Sequence, residues 1–148
     1  MKKFLKLTFI ILLFVLLTFS NTSFANEIIY INSTEDYLSF AINNEFYNGY
    51  ENKTIVLNTD LDFENQPVPI VSGKFKGVFD GQGYSFKNIK LEPGKDFCFN
   101  LGLFEENWGL IKKIVVESGS ITGESITGAI CGRNSGVVEQ CANFVNIS

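Results

Sequence analysis

The chain has 148 residues, 45% of them hydrophobic, with 16 acidic and 12 basic side chains. The length suits one domain, and the apolar content argues against a disordered chain. The net acidic charge argues against nucleic acid or an anionic lipid surface as the partner.

Residues 1–25 have the pattern of a cleavable secretory signal peptide. Lysines precede an apolar run over residues 7–19, which is shorter than the roughly 20 residues that span a membrane. Ser23 and Ala25 are small residues at the two positions that signal peptidase reads. We therefore predict a secreted or cell-surface protein that begins near Asn26, in preference to an uncleaved anchor, with no transmembrane segment in the mature chain.

The mature chain contains three cysteines, Cys98, Cys131 and Cys141. An odd number in an exported protein leaves at least one free thiol or a bond between chains. Disulfide scaffolds use dense, even cysteines, so we expect a fold that does not depend on disulfides. We interpret the thiols as small buried hydrophobic groups.

One helix is predicted over residues 34–46, and with a strand before it this helix forms an N-terminal segment, residues 26–53. Ser33 is the expected N-cap, Asp36 its capping-box partner, and Gly49 ends the helix. The residues expected to face the core recur at helical spacing: Leu38, Ala41, Ile42 and Phe46.

Residues 54–148 are predicted to form short strands separated by glycine and asparagine turns. A set of glycine and apolar positions recurs at intervals of 25 to 27 residues. The repeated positions are Gly83, Phe86, Ile89, Gly102, Gly109, Ile111, Ile114, Gly128, Gly136, Val138 and Cys141. Asn107 and Asn134 recur with them and are expected to stack in a hydrogen-bonded ladder.

Such a period is typical of solenoid proteins, and short strands with these turns favour a parallel β-helix in the all-β class. In that fold Ile111 lies between Phe86 and Val138, and Ile114 lies between Ile89 and Cys141. The alternative is an antiparallel β-sandwich, which requires no fixed long period. The predicted helix would cover the N-terminal end.

Two segments resemble a known family. Residues 128–141 are similar to the GLUG repeat of bacterial secreted and surface proteins, and residues 75–89 are similar to the segment that precedes such repeats. The resemblance covers residues 28–143 and includes about two repeats. It implies a right-handed β-helix on an exported protein, often an adhesin or a non-catalytic region of a surface enzyme. Glu105 stands where the family favours glycine.

The chain has no histidine, which excludes Ser-His-Asp and Cys-His catalysis and removes the commonest zinc ligand. Asp60 and Asp62 share one face of a predicted strand and, with Glu64, leave a glycosidase pair or a calcium site as alternatives. We favour a solvated strand face. We interpret Asp80 as a turn residue and Trp108 as packed on a neighbouring strand, with sugar stacking as its alternative. No catalytic, cofactor or metal residue is assigned.

We therefore predict a non-enzymatic interaction or adhesion module whose partner is a protein or glycan at a cell surface. The alternatives are a polysaccharide-active β-helix enzyme, a truncated piece of one, or a fragment of a larger surface protein. Phe144, Val145 and Ile147 read as one more strand without a polar cap. An open C-terminal end predicts self-association through that end.

Overall fold

The computed structural model describes residues 26–93 and 100–148. The predicted signal peptide and Cys98 lie outside these residues. The described chain is mainly β with one α-helix, and its strand pairs are parallel, as an all-β prediction with parallel strands requires. The antiparallel sandwich is therefore the wrong alternative.

The helix, α1, spans Thr34–Ile42, and a 3₁₀ turn follows at Asn48–Tyr50. The strands, in chain order, are β1 (Glu27–Ile31), β2 (Lys53–Leu57), β3 (Leu61–Asp62), β4 (Val71–Phe75), β5 (Val78–Asp80), β6 (Ser85–Lys87), β7 (Ile89–Leu91), β8 (Asn100–Leu101), β9 (Phe104–Asn107), β10 (Leu110–Lys112), β11 (Val115–Val116), β12 (Gly119–Ile121), β13 (Ile126–Thr127), β14 (Cys131–Asn134), β15 (Val137–Glu139) and β16 (Ala142–Asn143).

Strands that are far apart in sequence lie side by side in three main sheets. Their orders are β1-β2-β5-β10-β15, β3-β6-β11-β16 and β4-β9-β14, and two further pairs join β7 with β12 and β8 with β13. In the largest sheet Ile55 lies beside Phe79, which lies beside Ile111. The last strands, β13 to β16, each have one strand partner among the described residues.

The core between the sheets is rich in aromatic rings. Phe75, Phe79, Phe86 and Phe104 are fully buried, and the rings of Phe75 and Phe104 lie 5.0 Å apart. Helix α1 inserts Phe40 among these rings, 5.6 Å from Phe79. Aromatic contacts of this kind add to the hydrophobic gain from burial and hold α1 over the sheets.

Helix α1 differs from its prediction in length and in the face that it buries. It ends at Ile42, and it buries Tyr37, Phe40 and Ala41, while Leu38 and Ile42 are 45% and 67% exposed. Apolar side chains surround the helix, so their spacing alone does not select the inner face. The larger aromatic side chains fill the space above the core, and that burial decides the orientation.

The predicted N-cap is present. The hydroxyl of Ser33 accepts a hydrogen bond from the Asp36 N–H at 3.1 Å. The Asp36 carboxylate returns its bond to the N–H of Asn32, one residue before the expected partner. Beyond Ile42, the buried amide of Asn44 donates to Ser72 O and fixes the chain that leaves the helix.

The neighbours of two repeated positions differ from the prediction. Ile111 is fully buried and lies beside Val138, but its other neighbour is Phe79 instead of Phe86. Phe86 lies beside Val116. Phe79 precedes Ile111 by 32 residues, whereas Ile111 precedes Val138 by 27, because longer connections follow β5 and β7. The assumed spacing of 25 residues therefore selected the wrong partner.

Ile114 and Ile89 are also displaced from their expected pairing. Ile89 pairs with Gly119, not with Ile114. Ile114 is fully buried, and because Val115 pairs with Ala142, Ile114 and Cys141 are adjacent in register. The longer connections explain this shift as well, because they move the earlier strand forward by several residues.

Glycines line one corner, where paired strands approach closely. A Cβ on Gly109 would lie 2.1 Å from Gly77 O, and one on Gly136 would lie 2.2 Å from Gly109 O. The predicted member Gly83 instead occupies a separate turn at φ +85°, with open space around it. Gly102 and Gly128 each follow directly after the paired residues Leu101 and Thr127.

Glu105 has a structural contact at the position where the resemblance expects glycine. Its carboxylate accepts a hydrogen bond from the Gly73 N–H at 2.7 Å. Gly73 lies within an irregular stretch of β4, where the register with β9 shifts. The acid therefore satisfies a backbone donor that the shifted ladder does not pair.

The C-terminal residues continue along the last strands. The Phe144 N–H donates to Val116 O, and Ile147 forms a parallel bridge with Ile121. Val145 is buried, whereas Phe144 is 73% exposed. These residues form strand-like contacts instead of a polar cap.

Candidate functional site

Asp60 lies on the outer face of the sheet and is held by two donors. Its carboxylate accepts hydrogen bonds from Lys87 Nζ at 2.7 Å and from the Ser85 N–H at 2.8 Å. The Lys87 bond and then the Ser85 bond lower the pKa of Asp60 below its usual value. The side chain is solvent-exposed and ionised, as a structural ladder requires.

Asp62 is held in the same way. Its carboxylate accepts hydrogen bonds from Asn88 Nδ2 and from the Glu64 N–H, each at 2.9 Å. The Asn88 bond and then the Glu64 bond lower its pKa. A glycosidase needs one carboxyl group with a raised pKa to protonate the leaving group. The geometry of Asp60 and Asp62 supplies two ionised acceptors instead, which fits the solvated strand face.

Asp80 occupies the turn position expected from the sequence. Its carboxylate accepts from the Gln82 N–H at 3.0 Å and pairs with Lys112 at 3.1 Å. Partial burial raises the pKa of Asp80, but these hydrogen bonds and the lysine charge outweigh it, so the pKa lies below its usual value.

Trp108 is more exposed than its expected packing against a neighbouring strand implies. Its side chain is 48% exposed, and the contact from that strand is the Lys74 ammonium, 4.3 Å from the ring centroid. The indole Nε1–H donates to Glu106 at 3.0 Å, and Arg133 lies 3.9 Å from the same carboxylate. A charged ladder therefore orients a half-exposed ring.

Two thiols pack at the edge of the core. Cys131 and Cys141 are free and partly buried against the apolar cluster. Burial raises the pKa of both thiols, which lowers their reactivity at neutral pH. Their surroundings fit the interpretation as small hydrophobic groups.

The most concave aromatic surface lies between α1 and β1, and we call it the α1–β1 cleft. Its volume is about 290 Å³. Buried Phe40 and Tyr50 line it from the core side, and the Tyr50 hydroxyl donates to Phe40 O at 3.1 Å. Tyr30 from β1 and Tyr47 from beyond the helix also line it, and these are 53% and 46% exposed.

Polar groups line the helix side of the α1–β1 cleft. Asp36, Ser39 and Asn43 recur three or four residues apart, so they share one face of α1. Asn43 Nδ2 donates to Ser39 O at 2.8 Å. On the opposite side Lys53 forms an ion pair with Glu27, which balances the charge there.

Sequence reasoning missed this cleft. Tyr47 and Tyr50 belong to a dense aromatic group that was interpreted as core, and Tyr30 is distant from them in sequence. The one available signal was the stretch over residues 46–52, where aromatic residues alternate with asparagine and glycine. Such a stretch turns at the surface, and Asn48, Gly49 and Tyr50 indeed have positive φ angles.

Two other kinds of site were sought in the same residues. Within residues 26–93 and 100–148, no three acidic, cysteine or histidine side chains lie close enough together to hold a metal ion. In that part of the chain, no helix has the length and apolar character needed to cross a bilayer. Neither observation bears on residues outside those ranges.

Comparisons with known proteins give no relative. No protein-family model matches the chain, and no curated protein or solved structure matches it. The resemblance to GLUG repeats therefore stays a prediction that rests on the residues themselves.

Proposed function

We propose that this protein is a secreted or cell-surface, non-enzymatic interaction module related to the GLUG-repeat proteins. We further propose that its strands wind into a short right-handed parallel β-helix with α1 as the N-terminal cap. Support comes from parallel sheets that draw strands from successive stretches of the chain, and from the packing of Phe40 on the core rings.

The observation that carries the proposal is the exposed apolar surface around α1, which we call the cap face. It comprises Tyr30, Leu38, Ile42, Phe46 and Tyr47. Phe46 is 81% exposed, and its ring contacts that of Tyr47 at 5.0 Å. Large apolar patches of this kind mark interaction surfaces in soluble proteins. The partner is an unidentified protein or glycan at a cell surface.

A polysaccharide-active enzyme is the alternative from the sequence. The hydrogen bonds and lowered pKa values of Asp60 and Asp62 favour a structural role for both acids. Binding without catalysis is therefore the better-supported function.

Surface binding is tested with labelled protein of residues 26–148 on plates coated with mucin, collagen or fibronectin. We expect retention on at least one coating and a loss of about tenfold or more in Ile42→Asp. Ile126→Asp, an equally exposed isoleucine away from α1, is the control. Equal binding by both variants, or no retention on any coating, would contradict the proposal.

Export is tested separately. The tripartite N-terminal pattern predicts that the extracellular protein starts at Asn26, within one or two residues. N-terminal sequencing of material from the culture medium measures this start. Intact Met1 on the extracellular protein would show that no signal peptide is removed.

A further inference from the structure

We propose that the α1–β1 cleft binds a neutral saccharide of one or two sugar rings. The inference rests on the proposed interaction function and names a ligand class for one part of the surface. It depends on three properties of the cleft, which are its size, its exposed rings and its charge balance.

The size of the cleft limits the ligand. A volume of about 290 Å³ is at the lower end of the range for small-molecule sites. A site of that size encloses a small ligand or the terminal unit of a longer one. An extended polysaccharide chain would lie across the opening with one or two rings inside.

The aromatic residues supply apolar faces for sugar C–H groups. Tyr30 and Tyr47 come from different segments and are both about half exposed in the same cleft. Tyr47 is supported from behind, because its ring lies 5.3 Å from that of buried Tyr50. A ring that is held in place before binding loses little conformational entropy when a ligand stacks on it.

The polar residues match hydroxyl groups. Asp36, Ser39 and Asn43 on one face of α1 offer carboxylate, hydroxyl and amide groups, which together both donate and accept hydrogen bonds. A polyhydroxylated ligand needs both kinds of partner at short intervals. The tyrosines opposite these groups give the mixed apolar and polar lining that sugars require.

The charge balance favours a neutral ligand. Among the residues that line the cleft, Lys53 is the one cation, and its ammonium is paired with Glu27. Asp36 adds a further negative charge. An anionic sugar would therefore meet a paired cation and an unfavourable carboxylate, whereas a neutral sugar meets neither penalty.

The test is saturation-transfer NMR on residues 26–148 with cellobiose, N-acetylglucosamine, lactose and glucuronic acid as probes. We expect at least one neutral probe to bind, and Tyr47→Ala to weaken it about tenfold, the factor for one lost aromatic contact. Tyr47→Phe should retain the affinity because the ring remains. Tyr84→Ala is the matched control, since Tyr84 is 38% exposed and does not line the cleft.

The possible results separate this inference from the proposed function. The inference is overturned if no neutral probe binds, if glucuronic acid binds best, or if Tyr84→Ala weakens binding as much as Tyr47→Ala. Retention on mucin, collagen or fibronectin that still depends on Ile42 would then leave the interaction function standing. Far-ultraviolet circular dichroism of each variant verifies that a lost signal does not come from unfolding.

Discussion

Asn107 and Asn134 form a side-chain ladder across two neighbouring strands, with Asn107 Nδ2 donating to Asn134 Oδ1 at 2.8 Å. The amide of Asn107 also donates to Val137 O, and its Oδ1 accepts from the Gly109 N–H. Asn134 Oδ1 accepts from the Gly136 N–H in the same way. The ladder thus fixes two glycine corners, and this explains why asparagine and glycine recur together.

We expect Asn107→Ala to lower the free energy of unfolding by about 1–3 kcal/mol, because it removes a fully buried amide and leaves its partners without that bond. Urea denaturation measures the change. Asn58→Ala is a matched control, since Asn58 donates to Asn32 in an exposed pair at 3.0 Å. A loss in the control as large as that in Asn107→Ala would contradict the role assigned to burial.

Gly109→Ala should destabilise the protein more than Gly83→Ala. A methyl group on Gly109 would lie 2.1 Å from Gly77 O, and backbone cannot move aside as a side chain can. Gly83 has open space, so alanine there costs only the strain of positive φ, about 1–2 kcal/mol. Thermal unfolding compares the two variants. Equal midpoints would show that the strands at Gly109 separate easily.

Stability should fall in acid because the folded-state pKa values of Asp60 and Asp62 are lowered. A lowered pKa stabilises the fold above the unfolded-state value, near 3.8, and that contribution is lost as pH falls through the folded-state value. Urea midpoints between pH 5 and pH 2 should therefore decrease. The decrease should be smaller in the Asp60→Asn variant and in high salt, which screens exposed charges. A midpoint independent of pH would refute this account.

The sequence predicts the later strands better than the earlier ones. Between Ile111 and Val138 the spacing of 27 residues gives the observed neighbours, and the Asn107–Asn134 ladder follows from the same spacing. Before Ile111 the connections are longer, and a fixed period then aligns Phe86 where Phe79 belongs. A repeat locates strand partners only while its connections keep one length.

The surface was harder to predict than the core. Helical spacing detects α1 and its Ser33 cap, but it places Leu38 inward because it does not weigh Tyr37 against Leu38 for the space above the core. The α1–β1 cleft combines Tyr30 with Tyr47, and only the folded chain brings these two residues together. Local patterns carry no information about such contacts.

The last prediction concerns the unpaired edges of β13 to β16. In the described chain each of these strands has one strand partner, so its outer edge presents backbone donors and acceptors that another strand can pair. Apolar side chains accompany this edge, because Ile126 and Val137 are more than half exposed and Phe144 is 73% exposed. We expect protein of residues 26–148 to self-associate through these strands at micromolar concentration.

Sedimentation velocity with a thiol reductant measures this association without disulfides between chains. Phe144→Lys and Val137→Lys should each shift the protein toward monomer, because a charged lysine at a strand edge opposes pairing. Leu38→Lys is the control, since Leu38 is 45% exposed but lies on α1. If Leu38→Lys alone restores the monomer, the cap face joins the copies, and the strand edges do not. A monomer in the unmodified protein would mean that residues 144–148, through Val145 and the bridge from Ile147 to Ile121, already protect the edge.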